Sequence, residues 1–101
     1  MVYEAGALDA TFAAAAGDDP ALAAELRCAF ADSLASQVDL LARARCDANW
    51  QVAAQRLKSL AASFHEPTLL ALAEEAEIAA PGEPGVVRRL RHFHAAFVAR
   101  G

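Results

Sequence analysis

Lysine is almost missing from this chain of 101 residues: of nine basic side chains eight are arginine, and Lys58 stands alone. Tryptophan, tyrosine and isoleucine occur once each and valine six times. So few β-branched and aromatic residues cannot furnish the packed faces of a sheet-built domain. The two cysteines, Cys28 and Cys46, are too few for a disulfide scaffold. On one helix the eighteen residues separating them span about 27 Å, far beyond disulfide reach. Nor do two thiols at that spacing form a metal signature. Both are expected to be buried or idle. No uninterrupted apolar run approaches the roughly 20 residues that cross a bilayer, and MVYEAGALDATF lacks the basic start of a secretory signal. A cytoplasmic protein without a membrane partner is the expectation.

Positive charge is also scarce. Thirteen acids against nine bases give a formal net charge of -4, which argues against nucleic acid as a partner. The imbalance is uneven along the chain. Residues 1–50 carry eight acids and three bases, residues 51–101 five acids and six bases. No glycine-rich phosphate loop, nucleophile–base pair or metal-ligand spacing occurs, so neither a cofactor nor a catalytic constellation is expected.

What the chain has in quantity is alanine, 28 residues, and leucine, 12. Both are strong helix formers, and alanine lets backbones approach closely. The length suits one domain over residues 1–101. Punctuation divides it into five helical segments, at about 8–16, 20–44, 50–64, 67–80 and 86–99. Gly17 ends the first. Asp19 and Pro20 open the second as N-cap and first helical residue. Leu22, Leu26, Phe30, Leu34, Val38 and Leu41 then follow at intervals of three or four. Cys46-Asp47-Ala48-Asn49 reads as a turn, with Asp47 or Asn49 capping the third helix. Glu66-Pro67 starts the fourth, whose Leu69, Leu72, Ala73 and Ala76 share a face. Pro81-Gly82-Glu83-Pro84-Gly85 is a break, and Leu90, Phe93 and Phe97 with Val86 or Val87 form the buried side of the last helix. Four substantial helices with short connections predict an all-α, antiparallel up-down four-helix bundle with a short additional N-terminal helix.

The third helix is the informative one. At about 100° per residue, Trp50, Ala53, Leu57, Leu60, Ala61 and Phe64 gather into a core face about 100° wide. Gln55, Lys58, Ser59 and Ala62 lie opposite, with Val52 beside them as an exposed apolar residue. The result is a flat outward patch of small and polar side chains, with the lone lysine one turn from its central glutamine.

The run Gln55-Arg56-Leu57-Lys58-Ser59-Leu60-Ala61 resembles the signature of histidine-containing phosphotransfer (Hpt) domains, His-x-Leu-Lys-Gly-Ser-Ser/Ala. The surroundings extend the likeness over most of the chain. Gly17-Asp18-Asp19-Pro20, with Leu26 to Phe30, looks like the start of the family's second helix. Asp47-Ala48-Asn49-Trp50 looks like the approach to its motif helix, and Leu69, Leu72 and Glu77 follow as its next helix would. The resemblance implies the same bundle that the periodicity gives. It also implies a part in two-component signalling of the bacterial kind, with a response-regulator receiver domain or a histidine kinase as partner. In the family the motif histidine accepts a phosphoryl group, the lysine offsets its charge, and the glycine lets the receiver approach.

Three positions depart from the pattern. Gln55 occupies the acceptor position, and an amide nitrogen is neither basic nor nucleophilic. Ser59 replaces the glycine. His65 stands where the family has a small residue. The expected function is therefore that of an Hpt-like module, not an enzyme, that docks a receiver or kinase through Val52, Gln55, Lys58, Ser59 and Ala62 without carrying phosphate. Two alternatives remain at this level. One is an active relay protein, with His65 as acceptor or Gln55 standing in for a native histidine. The other is a helical interaction domain outside signalling. His65 more commonly caps its own helix. His94 is expected half-buried and hydrogen-bonded, His92 solvated, and Glu74, Glu75 and Glu77 are expected to form a solvated helix face.

Overall fold

The connections carry most of the topological information. In the computed structural model, which describes residues 5–100, with side chains from Leu8 onward, five helices occur. They are α1 (Ala5–Ala15), α2 (Pro20–Arg43), α3 (Asp47–Ser63), α4 (Pro67–Ile78) and α5 (Pro84–Ala99). Residues 1–4 and 101 of the expected single domain lie outside the described residues. Links this short make successive helices antiparallel neighbours. α2 packs on α3, α3 on α4, α4 on α5 and α5 returns to α2, while α1 lies against α2. The all-α fold is thus a four-helix bundle, α2–α5, with a short N-terminal helix packed on it, as the periodicity predicted. Among the described residues no helix is long and apolar enough to cross a membrane.

Local chemistry explains where the helices begin and end. At the start of α2, Asp19 Oδ1 accepts hydrogen bonds from the backbone N–H groups of Ala21 (3.0 Å) and Leu22 (3.4 Å), with Pro20 in the first turn. Gly17, at φ +63°, ends α1, and the Asp18 N–H reaches back to the Ala13 carbonyl at 2.9 Å. α3 closes the same way. The N–H of His65 bonds to Ala62 O and that of Glu66 to Ala61 O, at 3.2 and 2.9 Å. This is a Schellman closure, with His65 at φ +53° where glycine is usual. The side-chain cap expected of His65 is replaced by this backbone one.

Several expected boundaries shift. α3 begins at Asp47 rather than near Trp50. Asp47-Ala48-Asn49 is its first turn, and Cys46 takes the N-cap position with no side-chain cap hydrogen bond. Asp47 therefore acts on the positive helix end as a first-turn charge and not as a cap. α5 begins at Pro84, inside the expected break, because Glu83 accepts from Gly85 N–H at 2.7 Å ahead of a proline at the first position. α4 stops at Ile78 and α1 at Ala15, one or two residues short of expectation. Leu22 is exposed and Leu26 half-buried, so the continuous core of α2 starts at Phe30. Both cysteines are exposed and free, which corrects the buried reading.

The core divides along the bundle axis. At the end where α1 lies, Phe12, Phe30, Phe64 and Phe97 form an edge-to-face cluster with ring centroids 5.1–6.3 Å apart. Arg27 seals it from outside. Its guanidinium lies 4.0 Å from the Phe97 ring centroid, donates to the Phe97 carbonyl at 2.7 Å and pairs with Asp9 at 2.8 Å. The core also takes in Leu34, Leu41, Leu57, Leu69 and Leu90, all fully buried. Alanine is prominent in α3 and α4, where Ala53, Ala54, Ala61, Ala73 and Ala76 are all buried, and these helices make the most extensive pairing in the bundle. At the far end Trp50 is fully enclosed.

Candidate functional site

Trp50 sets the register of the site. Its indole N–H donates to the Ala76 carbonyl at 2.8 Å, and the neighbouring Gln51 Nε2 donates to the Glu77 carbonyl at 2.9 Å. The last carbonyls of any helix lack intrahelical partners. α4 has neither a basic residue in its last turn nor a glycine at its end, so two α3 side chains serve that purpose. With the helices pinned there, residues one and two turns further along α3 come level with the outer edge of α4.

At that edge stands Glu77, half-buried with its side chain 17% exposed. Lys58 Nζ lies 3.1 Å from Glu77 Oε1. Gln55 Nε2 donates a hydrogen bond to the other carboxylate oxygen, Oε2. One carboxylate thus engages both residues that the sequence singled out at the centre of the patch. This corrects the expectation for Glu77, which belongs to the α3–α4 seam rather than to a solvated face. Glu75 is corrected likewise: it is half-buried and ion-paired with Arg89 of α5. Glu74 is exposed, as expected.

Val52, Gln55, Ser59 and Ala62 are all exposed along the outer side of α3, and Lys58 is half-buried because it bends toward Glu77. The structure therefore brings the five proposed docking residues onto one face. Gln51, Val52, Gln55, Arg56 and Ser59 outline a shallow depression of about 430 Å³ there. Val52 and Arg56 also border a second groove, of about 400 Å³, between the end of α2 and the start of α3. Leu40 and Arg43 line its other side. Leu40 and Val52 are two of the five exposed large apolar residues among those described. The face therefore combines two apolar contacts, two arginines, and a lysine whose charge is met from within the molecule.

Chemically this centre is quiet. The amide of Gln55 has no accessible lone pair on nitrogen, and it is committed as a donor to Glu77. A phosphoryl group placed here would meet the Glu77 carboxylate, with the Lys58 charge already engaged. His65 lies ten residues beyond Gln55, about 15 Å along the helix axis; it is exposed, at the opposite end of α3 from Trp50. His92 is exposed and His94 half-buried on α5, as expected. The His94 ring makes no hydrogen bond to the described residues, contrary to expectation. Among the described residues no three His, Cys, Asp or Glu side chains gather in a metal-binding group.

Sequence reasoning missed Glu77, Gln51, Leu40, Arg43 and Arg56 as parts of this face. One usable signal existed: α3 carries the only lysine, and α4 carries three glutamates and no base.

No family model matches the chain. No curated protein and no solved structure matches it either.

Proposed function

We propose that this chain is a cytoplasmic, non-enzymatic, Hpt-like docking module. It binds a receiver domain or a histidine kinase of a two-component pathway through the face of Val52, Gln55, Lys58, Ser59 and Ala62, and it carries no phosphoryl group. It acts as a competitor, scaffold or regulator at the receiver's or kinase's own docking surface.

The observation that supports this reading is the engagement of Gln55 and Lys58 by the single carboxylate of Glu77. An acceptor centre needs a free basic nucleophile and an uncommitted positive charge. Here an amide stands in for the nucleophile and the charge is met internally. The surrounding face keeps small residues at Ser59 and Ala62 and an apolar contact at Val52, which suit close approach of another protein.

Titration calorimetry against receiver domains and kinases of the source cell tests the proposal, with Ser59→Arg as the blocking variant. Ser59 is exposed, so the change leaves the core intact. Binding of a receiver or kinase that Ser59→Arg weakens about tenfold or more, together with no transfer of labelled phosphate to the chain, is the expected result. A phosphohistidine forming on His65, His92 or His94 refutes the silent-module reading. Binding untouched by Ser59→Arg and by Lys58→Ala removes the proposed face.

A further inference from the structure

A second face carries chemistry that the docking face does not use. α5 has three arginines and two histidines and no acid, whereas α4 has three glutamates and no base. One ion pair, Glu75 to Arg89, crosses between them. The groove between these helices encloses about 550 Å³. Thr68, Leu72, Phe93 and Ala96 line it, and Arg88 and His92 stand among them. Beside it, on the outward stripe of α4, lie Ala71, Glu74 and Ile78, spaced at three and four residues. All three are exposed, and Ile78, at 88%, is the most exposed of the large apolar residues described. An apolar knob next to an acid and an apolar groove next to bases therefore occupy one side of one molecule.

We propose that this α4–α5 face docks a second copy of the chain. The register supports it. A twofold axis perpendicular to α4 at the level of Glu75 carries Ile78 of one protomer to the level of Leu72 in the other, since both lie three residues, about 4.5 Å, from the axis. The same operation carries Glu74 to the level of residue 76. The Glu75–Arg89 pair fixes α5 alongside α4. Because the helices run antiparallel, that places Arg88 one residue further toward the end of α4, at the level Glu74 reaches. Apolar knob into groove and acid onto arginine thus follow from a single symmetry operation, and each contact forms twice. Ala71 and Thr68 are small enough to let the two α4 helices approach. The face is two short helices wide, which places the dimer among concentration-dependent assemblies rather than obligate ones.

Sedimentation velocity from micromolar to millimolar protein at low salt tests this. The expected result is reversible conversion to twice the monomer mass. Ile78→Asp and Arg88→Glu each weaken the dimer about tenfold or more, and Glu74→Arg combined with Arg88→Glu restores it. All the altered residues are exposed, and unchanged helical circular dichroism confirms the fold of each variant. A chain that stays monomeric throughout overturns the proposal and leaves the groove to a different occupant. A dimer indifferent to both single changes overturns it as well, by placing the interface elsewhere.

Discussion

Replacing Trp50 with phenylalanine tests how α3 holds α4. The indole is fully buried, and its N–H is the donor to the Ala76 carbonyl at 2.8 Å. Phenylalanine keeps an aromatic ring in the core but removes that donor, leaving a buried carbonyl at a helix end without its partner. An unmet buried backbone acceptor costs about 1–3 kcal/mol. The smaller ring forfeits roughly 50 Å² of apolar burial, worth about 1 kcal/mol at ~25 cal/mol per Å². The sum is about 3 kcal/mol, a large share of the stability of a domain of this size. Urea unfolding followed by circular dichroism at 222 nm is the suitable assay, because the only tryptophan, and its fluorescence, leave with the substitution. The midpoint falls while the denaturant slope stays constant, as expected for a lost native contact with an unchanged unfolded state. Gln51→Ala, which removes the half-buried bond to Glu77 O, is the graded companion and costs about 0.5–1.5 kcal/mol. Hydrogen exchange at the last turn of α4 speeds up in both variants. A Trp50→Phe loss under about 1 kcal/mol refutes the argument: the Ala76 carbonyl would then find water, and the register of Gln55 and Lys58 against Glu77 would need another source.

His65→Gly stabilises the chain by about 1 kcal/mol in the same unfolding assay, because glycine adopts φ +53° without the Cβ penalty that His65 carries; a destabilised variant shows that the His65 side chain makes a needed contact. Cys46→Asp supplies the side-chain acceptor that the N-cap of α3 lacks and raises stability by about 1 kcal/mol, with no gain if the turn before α3 cannot orient the carboxylate. A double-mutant cycle of Lys58→Ala and Glu77→Ala gives a coupling of about 0.5–1 kcal/mol, since Lys58 is 40% exposed and solvent screens the pair; zero coupling dissolves the seam contact. Within the proposed function, Gln55→His alone accepts phosphate poorly, because Glu77 beside the new imidazole favours its protonated, non-nucleophilic form and repels the incoming group. Gln55→His with Glu77→Gln accepts it better in a kinase–receiver transfer assay, and equal labelling of the two variants removes Glu77 from the explanation.

The bundle was readable because its signals are local. Asp19-Pro20, Gly17 and Pro67 act on their own backbone, and the interval of three or four between Phe30, Leu34, Val38 and Leu41 needs only one helix. The starts of α3 and α5 and the close of α3 rest on residues that are not the favoured ones for those positions. Cys46 caps α3 by backbone geometry without a side-chain bond, His65 takes a glycine's conformation, and Glu83 turns the Pro-Gly stretch into a helix start. At Cys46 and His65 residue identity carries little information, because the closing bonds run from main chain to main chain, whereas at Glu83 a side-chain carboxylate makes the cap.

The site divides along the same line. That Val52, Gln55, Ser59 and Ala62 face outward follows from rotation about one axis, and a helical wheel contains it. Which residue of α4 meets Lys58 depends on how far α4 is displaced along α3, and no wheel contains that displacement. Trp50 and Gln51 fix it by donating to the Ala76 and Glu77 carbonyls. Once α4 is held there, Glu77 is the carboxylate within reach of both Gln55 and Lys58. A buried tryptophan near one end of the bundle thus determines which carboxylate meets a surface patch one to two turns away. A substitution at Trp50 consequently alters the electrostatics of the proposed docking face without touching any residue on it.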